Sequence, residues 1–205
     1  MIVKELGLVE YQPIWSAMQS YTTQRDQNSP DQLWLVEHPP VFTQGLNGKA
    51  EHILDPNTIP VVQTDRGGQV TYHGPGQLIA YTLFDLRRLN LGVRDMVTSL
   101  ENSIIALLKQ SNIDSYARKD APGVYIDNKK IASLGLRVKR GCCYHGISLN
   151  VAMDLTPFSY INPCGYANME VIDLAGLGVD LTMAQIKQRF VSALQTEIQN
   201  KGKHD

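Results

Sequence analysis

The sequence predicts an α+β domain with a mixed or antiparallel central sheet flanked by helices. Three observations lead there. Short β-like runs crowd the middle of the chain, helical periodicity is confined to separate stretches, and the regular strand–helix alternation of a doubly wound fold is absent. No repeat, low-complexity tract or linker interrupts the 205 residues, so 1–205 reads as a single domain. That length buries a substantial core without disulfides or metals.

Residues 2–7 alternate weakly and predict a first strand. From Tyr11, the side chains Ile14, Trp15, Met18 and Tyr21 recur at helical spacing, with Pro13 in the first turn, where its missing N–H costs nothing. Leu33-Trp34-Leu35-Val36 reads as a buried strand stopped by Pro39-Pro40. Strands follow over 61–64, 69–72 and 78–83. Val93, Met96, Val97, Leu100, Ile104, Leu107 and Leu108 then hold one apolar stripe, the strongest helical signal in the chain. Gly123–Ile126 and Ile131–Val138 flank the turn residues Asp127-Asn128-Lys129 and predict a hairpin. A further strand is expected over Tyr144–Val151. Thr182, with Gln185 three residues on, caps a last helix whose buried face carries Ile186, Phe190, Leu194 and Ile198.

The charge balance, 19 Lys+Arg against 20 Asp+Glu, excludes a whole-molecule nucleic-acid or membrane-surface binder but permits a local patch. The first residues contain no signal-peptide core, and no run approaches the ~18 apolar residues of a membrane span. Three cysteines, two of them adjacent, form no disulfide framework, so a reducing, cytoplasmic setting is expected. Cys142 and Cys143 alternate along a strand, which predicts one in the core and one exposed. Alternating residues also cannot converge with His145 on one metal, and no metal site is expected.

Chemistry concentrates in three segments. Arg66-Gly67-Gly68-Gln69-Val70-Thr71-Tyr72-His73-Gly74-Pro75-Gly76-Gln77 is either a pair of tight turns around a short strand or a loop whose backbone approaches a ligand. Neither a P-loop nor a dinucleotide fingerprint occurs in it. Asn162-Pro163-Cys164-Gly165-Tyr166 places a thiol in a turn, which suits either an inert loop cysteine or an accessible nucleophile. The stretch from Lys129 to Arg140 carries five basic residues and no acid. It is either a solvated hairpin tip or a strand that turns Lys129 or Lys130 toward a pocket, because extended geometry forbids both from facing solvent. Gly146-Ile147-Ser148-Leu149-Asn150 falls one residue short of a nucleophile elbow, which rejects a serine hydrolase.

Taken together, these residues resemble one family. Arg66-Gly67-Gly68, Thr71-Tyr72-His73, Gln77 and Tyr81 match the signature region of lipoyl(octanoyl) transferases. Lys130-Ile131-Ala132-Ser133-Leu134-Gly135-Leu136, His145-Gly146 and Asn162-Pro163-Cys164-Gly165 match it too, and Glu37-His38-Pro39-Pro40-Val41-Phe42-Thr43 looks like its early block. The motifs keep their order and spacing from about residue 33 to 175.

The resemblance implies the fold shared with biotin and lipoate protein ligases. It implies an ATP-independent acyltransferase, without cofactor, that moves octanoyl or lipoyl groups from acyl carrier protein to a lysine of apo lipoyl domains. Those acceptors belong to 2-oxoacid dehydrogenase complexes and the glycine cleavage system, and the reaction is the first step of endogenous protein lipoylation. Carried over by position, Cys164 is the acyl-thioester nucleophile and Lys130 the acid/base partner that lowers its pKa. Arg66, Gly67, Gly68, Gln69, Val70, Thr71, Tyr72 and His73 would bind substrate, with Ser133, Leu134, Gly135, Gly146, Ile147 and Ser148. Backbone N–H groups near Leu134-Gly135 are the implied oxyanion donors. A cytoplasmic monomer with no nucleic-acid or membrane partner is expected.

Overall fold

The computed structural model describes residues 1–166 and 169–201, the side chain of Cys164 excepted. In chain order its elements are β1 (Ile2–Leu8), α1 (Tyr11–Gln24), β2 (Gln32–Glu37), β3 (Val41–Gln44), β4 (Val61–Gln63), β5 (Val70–His73) and β6 (Gln77–Asp85). There follow α2 (Val93–Lys109), β7 (Tyr116–Ala117), β8 (Gly123–Ile126), β9 (Lys129–Lys139), β10 (Cys142–Asn150) and α3 (Met183–Lys201). The main sheet has seven strands in the order β1-β2-β6-β10-β9-β8-β7, and a second sheet has three, β4-β3-β5. Pairing is antiparallel except for β1 with β2 and β3 with β4, so the sheet is mixed, as expected.

Both faces of the main sheet are covered. Leu33, Leu35, Leu78, Ala80 and Phe84 point to one side, where they meet Met96, Leu100 and Ile104 of α2 and Ile186, Phe190 and Leu194 of α3. Trp34, Val36, Ile79, Tyr81 and Leu83 alternate to the other side and meet Tyr11 and Met18 of α1. Burial on both faces is why β2 and β6 read as unbroken apolar runs. The predicted capping box is present: Gln185 N donates to Thr182 Oγ1 (3.3 Å) and Thr182 N to Gln185 Oε1 (2.9 Å).

Three readings are corrected. Cys142 and Cys143 are both buried, since β10 is central and neither of its faces meets water there. The β8–β9 turn has two residues, not three: Asp127 (φ 47°) and Asn128 (φ 66°) take the left-handed pair that a tight hairpin requires, and Lys129 already pairs with Ile126. The small sheet contains β4 and β5, both expected from the sequence, and its central strand β3, which was not.

The β8–β9 ladder slips once. Val124 pairs with Ala132 but Tyr125 pairs with Lys130, leaving Ile131 as an extra residue. Consecutive Ile131 and Ala132 therefore both join the core beneath α2 and α3. Lys130 and Ser133, an odd number of residues apart, come to share the opposite face.

Candidate active site

A pocket lies where the small sheet folds over the α1 side of the main sheet. Strand β8 covers β9 only as far as Gly123, which pairs with Ser133. Beyond it the 66–68 loop takes over, with Gly67 N donating to Leu136 O (2.9 Å). This approach needs a bare backbone, since a Cβ on Gly135 would stand 2.6 Å from Gly67 O. On β10, Gly146 pairs with Gly135, and a Cβ there would overlap Ala80 O of the neighbouring strand.

The pocket is narrow, with a cavity volume of about 50 Å³. Arg66, Gly68, Gln69, Val70, Thr71 and His73 line one wall. Ser133, Leu134, Gly135, Gly146, Ile147 and Ser148 line the other. Gly67 and Tyr72 are not among the lining residues: Gly67 joins the loop to β9, and Tyr72 alternates away from it onto Phe42 and Phe158. Val70, Ile79, Leu134 and Ile147 give the pocket apolar walls suited to an alkyl chain.

Arg66 reaches this wall as a structural clamp. Its guanidinium donates to Thr43 Oγ1 (3.0 Å), Gly67 O (2.9 Å), Gln69 O (2.7 Å) and Thr43 O, holding the loop against β3. Burial pushes the two histidines behind the pocket well down, His73 to about 3 and His38 to about 4, so both are neutral at physiological pH. His73 bridges Gln77 Oε1 (2.7 Å) and Thr43 Oγ1 (3.2 Å), and His38 bridges Val9 O (2.6 Å) and the Tyr81 hydroxyl (2.8 Å). At the α1 end, Asp65 accepts from Trp15 Nε1 (2.8 Å), Gln19 Nε2 (3.1 Å), His145 Nε2 (2.9 Å) and the Tyr144 hydroxyl. Burial raises its proton affinity, but these bonds outweigh that and hold the carboxyl well below the usual carboxylate range.

Lys130 is 1% exposed, with Nζ 5.3 Å from the centre of the Tyr125 ring. Its backbone accepts from Ile172 N (3.1 Å) and donates to Glu170 O (2.8 Å), which ties the 170–172 segment alongside β9. Lys129 points outward and pairs with the exposed Glu170 carboxylate (2.9 Å). Strand parity thus separates the two lysines, and the reading of the whole run as a solvated tip fails at Lys130.

Cys164 sits in the short 3₁₀ turn Pro163–Gly165, and its thiol lies outside the described residues. The turn is tied back by Asn162 N to His52 O (2.8 Å). It packs against the pocket wall, where a Cβ on Gly165 would come 2.5 Å from Gln69 Oε1. That oxygen is buried and has no hydrogen-bond partner among the described residues. The other two thiols are poor nucleophiles, because burial raises Cys142 and pushes Cys143 up to about 11.

Sequence reasoning missed Tyr11, Ile79, Thr43 and Asp65. Tyr11 and Ile79 reach the pocket through ordinary amphipathic positions that carry no local mark. Asp65 is an isolated acid before Arg66, and only the fold brings its donors from α1 and β10.

A family model described as the lipoyl protein ligase A/B catalytic domain matches residues 10–195. Among curated relatives, an octanoyltransferase of Shewanella amazonensis is 61% identical over 188 residues, covering 92% of this chain and 87% of that protein. One of Vibrio vulnificus is 58% identical over 194 residues, covering 95% and 89%. Among solved structures, a lipoate-protein ligase A bound with ATP superposes with a TM-score of 0.77 at 15% identity, covering 97% of this chain and 86% of that one. Biotin protein ligase from Aquifex aeolicus, in complex with biotin and ATP, gives a TM-score of 0.65 at 13% identity, covering 100% and 73%. The last two likenesses speak for the fold alone. No helix of the described residues is long and apolar enough to cross a membrane.

Proposed function

Because this chain belongs to the lipoyl protein ligase A/B catalytic-domain family, and is an acyltransferase with octanoyltransferases as its near relatives, we propose that it carries octanoyl groups from acyl carrier protein to lipoyl-domain lysines through a Cys164 thioester. The observation that carries this reading is the packing of the Pro163–Gly165 turn on Gln69, at the wall of an apolar pocket. We place the reaction in the cytoplasm, on a monomer, with no cofactor.

Chemistry supports the assignment. A free thiol with a pKa near 8.5 is only about 3% thiolate at pH 7. In this reading the buried ammonium at Lys130 favours the thiolate and raises that fraction several-fold. The thiolate attacks the carbonyl of octanoyl-acyl carrier protein, and the carrier thiolate leaves with the proton of Lys130, which becomes a neutral amine. One thioester replaces another, so no nucleotide is needed. The acceptor lysine arrives as an ammonium, and deprotonating it at pH 7 costs about 4.6 kcal/mol. Lys130 relays that proton, the neutral amine attacks the acyl-enzyme, an amide forms, and the Cys164 thiolate is released. The buried Gln69 Oε1, without a partner among the described residues, would accept an N–H of the substrate in this reading. Six methylenes and a methyl of the tail, at about 0.8 kcal/mol each, contribute about 5 kcal/mol of binding in the apolar pocket.

The test is intact mass after incubation with octanoyl-acyl carrier protein, EDTA and no nucleotide, followed by addition of apo lipoyl domain. One octanoyl adduct on the enzyme, discharged onto the acceptor, is expected. Octanoylation that instead requires free octanoate, ATP and Mg²⁺ would replace this reading with an ATP-dependent ligase.

A further inference from the structure

The glycine against which Lys130 rests is also held by a second buried ionisable side chain. Glu101, on α2, is 6% exposed, and its Oε1 accepts the backbone N–H of Gly123 at 2.8 Å. On the same glycine, an added Cβ would overlap Lys130 Cε and stand 3.1 Å from Lys130 Nζ. One backbone unit thus separates a buried carboxylate from a buried ammonium. Gly123 has φ +145°, a conformation side chains rarely adopt, so both its backbone and the space taken by Lys130 call for glycine there.

We propose that Glu101 is a positioning residue for the reaction: through Gly123 it fixes the seat of Lys130, and its negative charge keeps that lysine protonated in the resting enzyme. This rests on the role given to Lys130 above. Burial disfavours the charged form of a lysine, a nearby anion offsets that penalty, and a neutral amine does nothing to favour a thiolate. Burial raises the proton affinity of Glu101 in turn, while the Gly123 N–H and Lys130 oppose that rise.

Among the described residues, three further groups lie near this position. From β8, Tyr125 offers its ring face, its hydroxyl donating to Ala121 O (2.6 Å). The Arg118 guanidinium lies 5.2 Å from the centre of that ring and is itself paired with Asp120 (2.5 Å). The Glu170 carboxylate is exposed and paired with Lys129. Among these, Glu101 is the buried anion.

The discriminating variant is Glu101→Gln, which retains an oxygen for Gly123 N–H and deletes the charge. The direct readout is the proton affinity of Lys130 itself, by trace acetic anhydride labelling across pH with mass spectrometry of the Lys130 peptide. Glu101→Gln should lower the Lys130 midpoint by about one pH unit, a tenfold loss of proton affinity. Transfer should fall in kcat with KM for the carrier substrate unchanged. Glu101→Asp, which keeps the charge, should restore most of the midpoint and supplies the comparison if the Gln variant folds poorly. An unchanged Lys130 midpoint in folded Glu101→Gln, or equal loss in Gln and Asp, would overturn the proposal. The labelling reads Lys130 whether or not Cys164 is acylated, so a missing octanoyl adduct in the wild-type protein would refute the thioester mechanism separately.

Discussion

Asp65 fixes the tautomer of His145. Its Oδ1 stands 2.9 Å from Nε2, and an ionised carboxylate only accepts, so the imidazole carries its proton on Nε2. His145 adopts φ 63° at the pocket edge, and burial outweighs the Asp65 contact to lower its proton affinity. The same carboxylate joins α1 to β10 through Trp15 and Tyr144. Asp65→Asn would oppose an amide N–H₂ to some of these donors. It should cost about 2 kcal/mol in urea unfolding and reduce transfer, whereas an unchanged unfolding midpoint would make the hub dispensable.

Cys164→Ser should abolish both the octanoyl adduct and turnover. Cys142→Ser and Cys143→Ser should keep the adduct, and the Cys143 variant should lose about 1–3 kcal/mol because a hydroxyl replaces a thiol in a sealed core. An adduct that survives in Cys164→Ser and vanishes in a Cys143 variant reverses the assignment.

Lys130→Ala should raise the pH midpoint for alkylation of Cys164 and cut transfer strongly. Lys129→Ala removes only an exposed ion pair and should change stability by less than about 1 kcal/mol and activity little. Matching alkylation profiles in the two variants would remove Lys130 from the mechanism.

Acid should destabilise the protein before its carboxylates titrate. His38 and His73 are neutral when folded but titrate near 6.5 when unfolded, so the unfolded chain binds more protons below that pH. Their contribution is complete above pH 6.5. It declines by about 1.4 kcal/mol per histidine per pH unit as the pH falls toward about 4 for His38 and about 3 for His73. Urea midpoints measured at pH 7.5 and 5 should differ accordingly, and equal midpoints would mean that both rings reach solvent.

Reversing Lys139 and Arg140 to Glu should raise KM for octanoyl-acyl carrier protein and weaken its salt dependence, with kcat nearly unchanged. If the proposed carrier docks here, these charges would steer it over a Debye length of about 8 Å at physiological ionic strength. A KM insensitive to salt in the wild-type protein would leave the run as a plain solvated face.

Elements with strong period were legible in the sequence. The Val93–Lys109 stripe, the Thr182 cap and the β8–β9 hairpin all reappear within a few residues. The pocket-forming stretch 66–73 was also marked, because a backbone that must approach another backbone needs glycine, and glycine is visible, whereas 133–135 and 146–148 entered only through the family resemblance. What escaped was set by distance in the chain. Asp65 takes its importance from partners 46 to 80 residues away, and the short β3 becomes a strand only because β4 and β5 fold onto it. The exposed cysteine expected in β10 failed for a similar reason: alternation says which side a residue faces, not whether that side meets water.

The extra residue at Ile131 sets the phase of β9. The Asp127-Asn128 turn fixes where the strand starts, and the slip after Lys130 brings Lys130 and Ser133 to the same face of the strand. Deleting Ile131 would make the ladder regular and still leave Lys130 and Ser133 on one face, whereas deleting a residue elsewhere in β9 would rotate everything beyond it by half a strand period. Such a hairpin absorbs a change of one in its residue count at the slip and not along the rest of its length.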